Sequence, residues 1–135
     1  PLACAAALAT VNTIIKEGLS ENAAKIGAMM LEQFREQLKF ADYIKDIRGK
    51  GMMLGIELDA PCTELLMLAN AKGILINITA DSVIRLLPPI NLTEEEAELA
   101  VNSVVKLIKV YAADERGGER RAKPRQGSDR RKSHS

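Results

Sequence analysis

Arg85 stands in Val83-Ile84-Arg85-Leu86-Leu87, a guanidinium inside an otherwise apolar run that stops at Pro88-Pro89. A planar guanidinium presents parallel N–H donors that match a carboxylate, so an inward-facing Arg85 would need an anionic partner, and a ligand carboxylate suits it. An alternating strand with Arg85 on a wet face fits the same residues, because antiparallel sheets often keep one face solvated. The pattern alone leaves both readings open. Arg48-Gly49-Lys50-Gly51 resembles a phosphate cradle at first sight. It is shorter than a P-loop and leads into a strand, whereas such loops open a helix, so a glycine-dependent bend between strands is expected. Asn77 and Thr79 are small polar residues at a strand end, and Met52-Met53 reads as core filler.

Other catalytic constellations are missing. Cys4 and Cys62 form no Cys-x-x-Cys pair, and the one histidine is His134, so the usual metal-ligand spacings cannot be assembled. A nucleophilic cysteine would lack a histidine base in the folded part. Both cysteines are therefore expected to be small buried hydrophobes of a reducing compartment.

Charge divides the chain in two. Residues 1–113 hold 11 Lys/Arg against 14 Asp/Glu, a net of −3, while residues 114–135 hold 8 against 4, a net of +4. The basic end contains Arg120-Arg121, Arg125 and Arg130-Arg131-Lys132 and no large apolar residue, so a disordered tail over 114–135 is expected. An anionic partner is conceivable electrostatically, but no aromatic residue is present there for stacking on bases, and nucleic acid is not expected. No apolar run approaches the ~20 residues that cross a bilayer. Pro1 is not an initiating Met, and the segment after it lacks the basic start of a signal peptide, so a piece of a longer protein is expected.

The elements that must position these residues follow from periodicity. In 135 residues, 47% hydrophobic and 27% charged, there is room for one ordinary globular domain. Leu2 to Glu17 reads as an Ala-rich helix stopped by Gly18, and Ser20 as the cap of a second helix to about Lys39. That helix has an apolar stripe of Ala23, Ile26, Gly27, Met30, Leu31, Phe34 and Leu38. Residues 44–49 and 52–58 read as strands, and 62–72 as a short helix capped by Thr63 and ended by Gly73. Two more strands are expected at 74–78 and 83–87. Thr93-Glu94-Glu95-Glu96 is a capping box for a last helix, with Lys106 and Lys109 near its negative end. The order predicts an α+β fold, a small sheet with helices packed on one side.

Several segments, in order, resemble one family. Pro1-Leu-Ala-Cys-Ala-Ala-Ala-Leu-Ala is similar to the helix opening the C-terminal small domain of class III pyridoxal-phosphate aminotransferases. Ile47–Leu58 resembles that family's strand pair, and residues 72–79 and 83–90 are most similar to its acetylornithine aminotransferase branch, with residues 93–96 opening the final helix. The resemblance covers about residues 1–113. It implies the C-terminal domain of a fold-type I transferase, moving an amino group reversibly between N-acetylornithine and 2-oxoglutarate, with glutamate as product, in arginine biosynthesis. Succinyl-diaminopimelate is a second substrate it implies. It further implies a cytoplasmic homodimer using pyridoxal phosphate. The Schiff-base lysine, the residues stacking on the cofactor and a phosphate-binding Thr would all lie upstream of Pro1. Catalytic and cofactor-binding residues are thus expected to be absent from this stretch, which alone should be inactive. Arg85 matches the family's small-domain arginine near the substrate carboxylate. The stretch after residue 113 departs from the family pattern. The alternative reading is a stand-alone α+β binding module with a basic tail for an anionic partner.

Overall fold

The computed structural model describes residues 1–122, with side chains through residue 114. Helices α1 (Leu2–Lys16) and α2 (Leu19–Leu38) precede the hairpin β1 (Ile44–Lys50) and β2 (Met53–Leu58). Then come α3 (Leu65–Ala71), the hairpin β3 (Asn77–Thr79) and β4 (Val83–Leu86), and α4 (Glu94–Ala122). The four strands form one antiparallel sheet in the order β1-β2-β4-β3, so β4 docks beside β2 and joins two hairpins. This is the α+β fold expected from the residue pattern.

Alternation assigns the two faces. Leu54, Ile56 and Leu58 of β2 and Ile84 and Leu86 of β4 point to one side and are buried. They meet Ile26, Met30, Phe34 and Leu38, which recur every fourth residue along α2, and Val101, Val104, Leu107 and Ile108 of α4. Asp46, Arg48, Met53 and Arg85 lie on the opposite face and are exposed. All of the helical cover is thus on one side of the sheet.

One contact seats the sheet on α2. Lys50 pairs with Met53, leaving Gly51 and Met52 as a two-residue turn with Gly51 in the left-handed region at φ +54°. A β-carbon at Gly27 of α2 would lie 1.9 Å from the Gly51 carbonyl oxygen. The helix is notched there to admit the turn, and Arg48-Gly49-Lys50-Gly51 is a hairpin end. After β4, the Asn22 side-chain amide donates to the carbonyls of Ile90 (2.8 Å) and Leu92 (3.1 Å), which fixes the approach to α4.

The capping box at the start of α4 is present. The Thr93 hydroxyl accepts from the Glu96 N–H (3.2 Å), while the Glu96 carboxylate accepts from the Thr93 N–H (2.9 Å). The Thr93 N–H, with the Thr93 hydroxyl donating to the same oxygen, holds the Glu96 carboxyl below the usual carboxylate range. Thr93→Ala is expected to lower stability by about 1 kcal/mol, checked by urea unfolding.

Five local expectations are corrected. Ser20 lies inside α2, whose N-cap is Gly18 in left-handed conformation with no side-chain bond, and α3 begins after Glu64 without a cap from Thr63. The strand expected at 74–78 is confined to Asn77–Thr79, because residues 73–76 run along the edge with Leu75 90% exposed and no ladder partner. Cys62 is buried, which pushes its thiol pKa up, but Cys4 is exposed: no residue of α1 is buried among the described residues. Finally, Lys106 and Lys109, expected near the end of the last helix, are mid-helix, because α4 runs on through Ala122. The rest of the expected tail, 123–135, lies outside the described residues.

Candidate functional site on the open sheet face

Register places Arg85 opposite Gly55, Gly55 opposite Arg48, and Asn77 opposite Arg85. These four residues form one row across the uncovered face, with neighbouring strands about 4.8 Å apart. The adjacent row is Asp46, Glu57, Val83 and Thr79. Of the two readings open for Arg85, the exposed face is the one realised.

The charges on this face sort into engaged and free. Arg48 Nη1 donates to Asp46 Oδ2 and to Glu57 Oε2, both at 2.8 Å, and Lys45 Nζ lies 2.7 Å from Glu57 Oε1. The hydrogen bonds from Lys45 and then Arg48 hold the Glu57 carboxyl below its usual range, and the same carboxylates raise the Arg48 pKa. Arg48 and Glu57 therefore stay ionised and paired at neutral pH. Arg35 of α2 is engaged elsewhere, donating to the Ile47 carbonyl. Arg85 is the remaining arginine with a described side chain, and that side chain has no hydrogen-bond or ion-pair partner among the described residues. An exposed fork of five donors beside a neutralised cluster is an attractive seat for a carboxylate.

Arg85 also borders a cavity of about 560 Å³ at the β3–β4 edge, between Ile74, Leu87, Ala100 and Val104. The lining contains no lysine. Pyridoxal phosphate asks for a reactive amine together with a cluster of phosphate donors, and the residues here do not fit it. No cluster of His, Cys, Asp or Glu capable of holding a metal occurs among the described residues. No single described helix is long and apolar enough to cross a membrane.

Arg85 is the candidate site residue that the pattern singled out. Gly55 and the Arg48–Glu57 pairing were not, although counting back from a two-residue turn at Gly51-Met52 puts Arg48 opposite Gly55.

Comparisons with known proteins agree with this architecture. The model of the class-III aminotransferase family matches residues 1–108. Acetylornithine aminotransferase of Nitrosomonas europaea is 47% identical over 108 residues, covering 80% of this chain and 28% of that protein. Acetylornithine aminotransferase 1 of Bordetella pertussis is 46% identical over 115 residues, 85% of this chain and 29% of that protein. Among solved structures, the acetylornithine aminotransferase of Elizabethkingia anophelis superposes with a TM-score of 0.77 at 31% identity, covering 82% of this chain and 29% of that one. The chain therefore spans under a third of the length of the curated relatives it matches. On the match over residues 1–108 and these identities, the chain belongs to the class-III aminotransferases.

Proposed function

We propose that this chain is the C-terminal small-domain part, residues 1–113 with a basic appendage over 114–135, of a cytoplasmic, homodimeric acetylornithine aminotransferase. The complete enzyme would exchange an amino group between N-acetylornithine and 2-oxoglutarate in arginine biosynthesis. The observation that carries the reading is Arg85, exposed and unpaired on the open sheet face. Names of relatives at 46–47% identity support the substrate assignment.

Within this chain the work is binding and orientation. Arg85 would take one substrate carboxylate in its planar fork and so fix the direction of the carbon chain attached to it. The compensated Arg48–Glu57–Lys45 cluster leaves that positive charge undiluted. Pyridoxal phosphate, bound by residues outside this stretch, supplies the electron sink for the amino transfer.

The chain mixed with pyridoxal phosphate, N-acetylornithine and 2-oxoglutarate is expected to produce no sustained glutamate. Joined downstream of the upstream part of the Nitrosomonas europaea relative, in place of that protein's matching segment, it is expected to restore transamination. Glutamate production by the chain alone would overturn the proposal, as would a folded, cofactor-loaded hybrid without activity.

A further inference from the structure

Among the described residues, Gly55 is the glycine that the fold does not explain. Three others, Gly18, Gly51 and Gly73, have left-handed backbone, and at Gly27 and Gly49 a β-carbon would lie within 1.9 and 2.5 Å of another atom. Gly55 lies in the regular ladder of β2, with Arg48 on one side and Arg85 on the other. A β-carbon there would meet Val83 Cγ1 at 3.5 Å and the Arg48 Cγ at 3.9 Å, which is ordinary contact. Glycine inside a strand lowers stability, and one without a conformational role marks a place where something approaches the backbone closely.

The face around it narrows what approaches. The immediate neighbour is the unpaired Arg85, and the flanking Arg48 is held by Asp46 and Glu57 through Nη1. A side chain at Gly55 would project from the sheet between these two guanidiniums, over the ground that a carboxylate-bearing carbon chain bound to Arg85 must cross. We infer that Gly55 is a specificity-determining position, its bare backbone forming the floor on which the chain of a small dicarboxylate or acylamino acid lies beside Arg85. The inference rests on the carboxylate role proposed for Arg85 and names the shape of the ligand that role admits.

The test is a graded series, Gly55→Ala, Gly55→Val and Gly55→Leu, in the hybrid aminotransferase described above. The expected result is a KM for 2-oxoglutarate rising with side-chain size, about tenfold at Val and more at Leu, with kcat and cofactor retention little changed. The melting temperature of Gly55→Ala should be equal to or above that of the parent, an outcome a merely structural glycine would not give. The same series is read on the 135-residue chain alone by titrating glutarate and following the Ile56 amide and the Arg85 Nε–H by NMR, where Val and Leu should weaken binding in parallel. A flat KM series, loss of cofactor or assembly without a KM change, or unaltered glutarate binding overturns the inference. Arg85→Ala separates the two levels. If it leaves KM and glutarate binding untouched, the carboxylate reading fails; if it raises both while the Gly55 series stays flat, the floor alone fails.

Discussion

Gly27→Ala is expected to destabilise the chain by about 2 kcal/mol or more, although alanine is the better helix former by about 1 kcal/mol. The two effects oppose each other, and geometry decides. The new methyl carbon would sit 1.9 Å from the Gly51 carbonyl oxygen and 2.4 Å from its carbonyl carbon, both backbone atoms of a tight turn. A flexible side chain could swing away, whereas the turn is bound by the Lys50–Met53 pairing and by Met52, which is buried. Relief therefore requires moving the whole hairpin off α2, which also withdraws Leu54 and Ile56 from Phe34 and Met30 in the core. Urea unfolding with an unchanged m-value would report the loss as a lower midpoint. A variant more stable than the parent would show that the turn is not seated in the notch.

The second large effect concerns Arg85. In the hybrid enzyme, Arg85→Ala is expected to lower kcat/KM for N-acetylornithine by about 150-fold or more, since charge-assisted hydrogen bonds contribute about 1.5–3 kcal/mol each and the fork makes two. Arg85→Lys keeps the charge and loses the planar pair of donors, so a loss of about tenfold is expected. Cofactor retention should be unchanged in both variants, and so should unfolding of the isolated chain, within about 0.5 kcal/mol, because the side chain is exposed and unpaired. Unaltered catalytic efficiency would remove Arg85 from the substrate site.

What the residue pattern revealed, and what it withheld, has a common physical cause. The capping box at Thr93 and Glu96 is local: the bonds join groups three residues apart, and both types are needed for it. The stripe of α2 is local too and appears as read, and the strand expected over 52–58 forms as β2. Arg85 was ambiguous because Ile84-Arg85-Leu86 alternates whether its odd face is wet or covered; the pairing with Gly55 and its exposure among the described residues resolve it. The apolar run 74–78 looked like a strand because composition does not tell whether a neighbour is available, and only Asn77–Thr79 find β4. Ser20 and Thr63 are good cap types, yet Gly18 and Glu64 stand at the boundaries, as the connecting turns dictate. Cys4 is exposed for a similar reason, since burial of an apolar helix depends on what surrounds it and the described residues bury no residue of α1.

The strand order also has a kinetic consequence. β1–β2 and β3–β4 are hairpins with short connections, and units of this kind close in about 1–10 µs from residues near in the chain. The β2–β4 seam is different, because it pairs positions some thirty residues apart, Gly55 with Arg85 among them, and waits on slower loop closure. The row bearing the proposed carboxylate seat straddles that seam. A chain with both hairpins formed but not yet docked has the Arg48–Gly55 and Asn77–Arg85 pairings but not the Gly55–Arg85 one, so the row is complete only with the long-range step. A ligand held by the completed row would accordingly slow the parting of the seam, and its grip would register as resistance to unfolding.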